Sequence, residues 1–94
     1  MQLNIQIQEA TVADIDGCRV GVSNLWEREF AVDEGLVRRM SAILSILDTV
    51  TAEERRVKVF AGFELVLRTE RYRVVEIQPG SGGTGLLVLE KIVP

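Results

Sequence analysis

Period-two alternation constrains this chain more than any other feature of its sequence. In the opening stretch QLNIQIQ, Leu3, Ile5 and Ile7 alternate with Asn4, Gln6 and Gln8. A strand sends successive side chains to opposite faces, so this pattern specifies a strand with one buried side. The same alternation returns at Cys18, Val20 and Val22, at Val57 and Val59, and at Phe63, Leu65 and Leu67. Turn residues separate these runs. Asp16-Gly17 is a hairpin dipeptide, because glycine accepts the positive φ that a tight reverse turn demands. Gly62 suits a turn or bulge, RTE at 68–70 a second turn, and the adjacent Val74-Val75 a bulge or a strand covered on both faces. LLVLEKIV supplies the last strand. Short strands at about ten-residue spacing predict a mainly β chain, a small single-domain sandwich or partly open barrel of about six strands over residues 1–94.

One segment resists this reading. In VDEGLVRRMSAILSILD, the residues Leu36, Val37, Met40, Ile43, Leu44 and Leu47 form a helical stripe, with Asp33 placed as an N-cap and Glu34 beside the positive end of the helix dipole. The alternative is a strand, SAILSILD, that turns through DTVTAEER into RRVKVF. The β-rich surroundings favour the strand. A helix within 33–47 would make the fold α+β.

Composition narrows the range of functions. The 94 residues carry a net charge of −3, which argues against a nucleic-acid partner, since that affinity depends on clustered Lys and Arg. The average conceals an asymmetry: residues 1–54 hold ten acids and four bases, while residues 55–94 hold four acids and seven bases. A molecule with two electrically different sides is one expectation, solvated strand faces the other. No apolar run approaches the ~20 residues of a membrane helix. The opening MQLNIQIQEA lacks the basic-then-apolar pattern of a signal peptide, and the single Cys18 has no disulfide partner, so a cytoplasmic protein without membrane association is expected.

The glycine-rich PGSGGTG at 79–85 prompts comparison with phosphate-binding loops. Those need a helix after the glycines and, in the P-loop, a lysine at its start. Here a strand-like run follows, and the nearest lysine, Lys91, lies within it. Gly80, Gly82, Gly83 and Gly85 are therefore expected in a hairpin loop, with anion binding by backbone amides as the lesser alternative.

Catalytic groups are scarce. There is no histidine, so the commonest base and metal ligand is missing and nothing is present to activate Cys18, which reads as a core residue. Asp14 and Asp16 would share a face if both stood on one strand, but acids beside a hairpin are usually solvated. No metal or cofactor site is expected.

Binding residues are better represented. Trp26 and Phe30 share a face whether NLWEREF is strand or helix. A tryptophan in a small domain usually joins the core; otherwise it anchors a partner, together with Arg. Arg56 and Lys58 share one outward face, Arg71 and Arg73 another, and pairing of their strands would create a cationic stripe with Tyr72 turned away from it. The expected function is a non-catalytic protein-binding module, an adaptor, inhibitor or immunity-type accessory, or an assembly subunit. It would dock on another protein, or on a second copy, through a charged sheet face bearing Trp26, Phe30, Arg56, Lys58, Arg71 and Arg73. The alternatives are a small barrel binding an anionic small molecule and, third, a small carboxylate-dependent enzyme.

Overall fold

A computed structural model describes residues 4–80 and 84–92 and, within them, all side chains except those of Phe30 and Val32. Eight strands account for the fold: β1 (Asn4–Gln8), β2 (Val12–Ile15), β3 (Cys18–Val32), β4 (Gly35–Asp48), β5 (Glu54–Phe60), β6 (Glu64–Leu67), β7 (Glu70–Gln78) and β8 (Leu86–Lys91). They form two antiparallel four-stranded sheets, ordered β1-β8-β7-β6 and β2-β3-β4-β5. The mainly β architecture expected from the alternation is present, with eight strands in place of six. The alternation at Phe63, Leu65 and Leu67 corresponds to β6, and the strand it did not mark is β2, of four residues.

Inward-facing positions from both sheets build one core. Val20, Leu44 and Val59 of the second sheet, and Leu67, Val74, Leu87 and Leu89 of the first, are wholly buried. Burying each such side chain contributes on the order of 1.5–3 kcal/mol, so the interleaved faces dominate the stability. Residues 35–48 are strand throughout, paired to β3 on one side and to β5 on the other. The helical stripe fails on burial: Leu36 is 70% exposed, whereas Ala42 and Ile46, outside that stripe, are buried. Asp33 and Glu34, read as a helix start, form the two-residue tip between Val32 and Gly35.

At one end the turns are tied together. Asp16 and Gly17 have φ of 48° and 81°, the pair of positive values a type I′ hairpin requires. Thr49 donates from its amide and hydroxyl to the Gly17 carbonyl, at 3.1 and 2.7 Å. The Asp48 carboxylate caps the β4–β5 turn through the amides of Val50 and Thr51. Across the core, the buried Tyr72 hydroxyl donates to Asp16, and Lys91 approaches both Asp16 and Glu70, at 3.5 and 3.6 Å. These four residues link the second sheet's turn to β7 and β8.

The two bulges determine which residues face out. In β7 the register slips between Val74 and Glu76, so Val75 is the extra, exposed residue and Ile77 returns to the core. In β3 it slips between Ser23 and Trp26, where Asn24 and Leu25 stand opposite the single Ala42. Asn24 has φ of 54°, a conformation asparagine tolerates better than most residues. The bulge keeps Leu25 against the core. Trp26 follows on the outer face, reversing the phase that Cys18, Val20 and Val22 set.

Beyond the bulge β3 and β4 lose their other neighbours. β5 ends opposite Ser41 at Phe60, and the pairing of β2 ends at Gly21. Residues 26–32 and 35–41 thus form a two-stranded ribbon that runs on from the sandwich for ~20 Å, at about 3.3 Å per residue.

Candidate functional site: the outer face of the β2–β5 sheet

The outward residues of this sheet alternate with its core residues. β5 contributes Glu54, Arg56, Lys58 and Phe60, β4 contributes Leu47, Ser45, Ile43 and Ser41, and past the bulge come Arg39, Trp26 and Arg28. Trp26 is 61% exposed, not in the core where a tryptophan of a small domain usually lies. The Arg28 guanidinium lies over its ring at 5.2 Å and donates to the Ser41 hydroxyl, while Ser41, fully buried, donates to the Trp26 carbonyl at 3.1 Å. Arg39 lies over the Phe60 ring at 5.6 Å. The arm root is therefore held by stacked guanidinium and aromatic groups, with Ser41 as the hydrogen-bonded pivot.

Arg28, Arg39, Arg56 and Lys58 share this face, and among the described residues none of them has a carboxylate within ion-pair distance. The acids on the face are Asp14, which pairs with Arg19 at 3.6 Å, and Glu54. At the centre the cross-strand pair Gly21 and Ser45 leaves a shallow concavity of about 690 Å³, rimmed by Arg19, Arg56, Asp14 and Glu54. A Cβ on Gly21 would meet only ordinary contacts at 3.6 Å, so the backbone does not demand glycine there.

Arg71 and Arg73 lie elsewhere. They occupy the outer face of the other sheet, because β5 and β7 belong to different sheets and do not pair. The expected continuous stripe is thus divided across the sandwich. Arg71 is bonded to Glu64 at 2.7 Å, and Arg73 stands opposite Glu64 on one side and Glu90 on the other. Phe30 pairs with Val37 in the ribbon, and its side chain is outside the described residues. Tyr72 does turn inward, away from the arginines, as alternation requires.

The charge asymmetry of the two sequence halves does not become two charged sides. The strands of the β2–β5 sheet hold seven bases and five acids, those of the other sheet three bases and four acids, and the turns five acids and one base. The excess acid lies at the tips of the molecule, because Asp and Glu collect where chain direction reverses.

The remaining sequence candidates are structural in their surroundings. Gln78 pairs with Leu86 across the glycine-rich loop, so a strand and not a helix follows it. Gly82 and Gly83 are outside the described residues. A Cβ on Gly80 would come 2.7 Å from the amide nitrogen of Gly85, so close packing against backbone selects that glycine, whereas one on Gly85 would displace the Leu25 terminal methyl at 2.5 Å and come 3.2 Å from the Gln78 carbonyl. Cys18 is buried, and burial, reinforced by the Asp48 carboxylate, pushes its thiol above the usual range and away from the thiolate. Asp14 and Asp16 do not converge: one pairs with Arg19 on the outer face, the other with Tyr72 and Lys91. The described residues contain no group of three or more potential metal ligands and no helix able to cross a membrane.

The bulge is what the sequence reading missed. Its only signal was Asn24, a residue suited to left-handed backbone, placed between an in-phase strand and a tryptophan flanked by charges. Comparison with known proteins gives no guide to the site: no family model, no curated protein and no solved structure matches this chain.

Proposed function

We propose that this protein is a non-catalytic protein-binding module that docks through the outer face of its β2–β5 sheet on an acidic protein surface. One observation carries the reading: four cations share a face with no carboxylate partner among the described residues, around an exposed tryptophan, while the arginines of the opposite face stand beside acids. Unpaired like charges repel one another and add nothing to folding, whereas an acidic partner would neutralise them. Trp and Arg are also the residues that most often dominate interface energies. A protein partner suits this face better than nucleic acid, because the chain is acidic overall and its turns carry five acids against one base. The reading includes a cytoplasmic setting, which the unpaired Cys18 fits.

The test is affinity capture from the native cell, comparing wild type with R56E/K58E and with R71E/R73E. A stoichiometric protein retained by wild type and by R71E/R73E, released by salt and lost from R56E/K58E, is the expected result. Equal retention by both variants would overturn the assignment of the face. The concavity at Gly21 and Ser45 favours a second reading, an anionic small molecule held by Arg19 and Arg56. That reading predicts a salt-sensitive thermal shift with anionic metabolites that R56E abolishes.

A further inference from the structure

We infer that the partner for this face includes a second copy of the same chain, with the Asp33-Glu34 tip of one copy's ribbon docking on the cations at the ribbon root of the other. The inference rests on the preceding reading, that the outer face of the β2–β5 sheet binds an acidic protein surface.

Three observations carry it. Asp33 and Glu34 are exposed and, among the described residues, lack a cation within ion-pair distance. Their complement, Lys58 and Arg56 beyond the root with Arg39 inside the ribbon, is equally unpaired, and ~20 Å of paired β-structure keeps the tip from Lys58 and Arg56 within one molecule. Charges that complement each other but cannot meet within a chain can meet between chains. The ribbon is also an unusual element to leave bare, since a two-stranded hairpin is at best marginally stable in water. On the outer face its Trp26, 61% accessible, stands at the root, while Leu36, 70% accessible, stands near the tip on the other face. Two ribbons laid antiparallel bring each tip to the other's root, and a two-fold axis makes both contacts at once. The interface is then closed and symmetric, with a Trp26 ring beside the cations at each end.

The experiment is sedimentation equilibrium of the full chain over a concentration series, at low and high salt. It compares wild type, D33K/E34K, R56E/K58E and an equimolar mixture of the two variants, each first checked for wild-type circular dichroism. Wild type is expected to dimerise at low salt and dissociate at high salt, since such contacts are screened. Each variant alone should weaken association by about tenfold or more, because reversal juxtaposes like charges. The mixture should restore it, since a positive tip then meets a negative root and a negative tip a positive root. A wild type that stays monomeric throughout overturns the inference, as does a dimer that survives both reversals. If D33K/E34K fails to fold, E34K together with the wild-type salt series makes the same distinction. The two readings fail separately. A monomer that still captures a protein lost from R56E/K58E refutes self-docking alone, while a monomer whose variants capture equally refutes both. A monomer whose basic face instead retains single-stranded oligonucleotide also refutes both.

Discussion

The two halves of the β3–β4 hairpin share a backbone ladder and little else. In the half next to the turn at Asp16-Gly17, Val20 and Val22 face Ile46 and Leu44 across the ladder, and these four are buried together with Cys18 and Ala42. In the distal half the ladder continues to Val32 and Gly35 with no other strand beside it, carrying Trp26, Leu36 and seven charged residues, the tip included. Strand geometry is thus preserved where the stabilising core has ended. Burial holds the first half; the second relies on cross-strand pairs such as Glu29 with Arg38, of the kind that contribute ~0.2–1 kcal/mol each.

The largest expected effect tests that division. Leu44→Ala removes a wholly buried side chain and should cost about 2–5 kcal/mol in urea unfolding, whereas Trp26→Ala should cost under about 1 kcal/mol. Comparable losses from the two would mean that the ribbon is part of the folding core. A smaller effect is expected at the junction between the halves. Asn24→Val places a β-branched residue at φ of 54° and should destabilise by about 1–2 kcal/mol, whereas Asn24→Gly should be close to neutral. Equal behaviour of the two would show that the bulge does not hold the left-handed residue.

The third effect depends on pH and belongs to the sandwich alone. The Tyr72 hydrogen bond, followed by the charge of Lys91, holds Asp16 below its ordinary range despite partial burial; burial first, then Asp16, pushes Tyr72 well above its own. A depressed carboxylate contributes stability that is present at neutral pH and lost as pH falls below about 4. A raised tyrosine contributes stability that declines once pH exceeds about 10, where the unfolded phenol ionises. Tyr72→Phe should therefore flatten both limbs of the stability–pH curve while costing ~1 kcal/mol at neutral pH. Trp26→Ala should leave both limbs unchanged.

The strands were legible in the sequence because one side of each is buried and alternation records it. The Val74-Val75 bulge and the inward Tyr72 were legible for the same reason, and the Asp16-Gly17 turn from the positive φ that glycine accepts. Residues 33–47 were ambiguous because Val37, Met40, Ile43 and Leu47, all half-buried, supply apolar residues on both strand faces and so imitate a helical stripe. The binding face was only half legible. Parity correctly placed Arg56 with Lys58 and Arg71 with Arg73, but it cannot say which sheet a strand joins, and that is set by pairing between residues far apart in the chain. Whether Trp26 joined the core or the surface stayed open in the sequence, because a single left-handed residue inverts every parity beyond it.

That inversion also bears on how the chain can change length. Loss of one residue elsewhere in β3 exchanges the two faces for everything downstream, sending charges inward and apolar groups outward. Loss of Asn24 or Leu25 removes only the surplus residue opposite Ala42 and leaves Trp26 and Arg28 on their present side. The bulge is therefore slack in the reading frame of the strand, the place where inheritance can shorten this hairpin by a residue without turning its surface inside out.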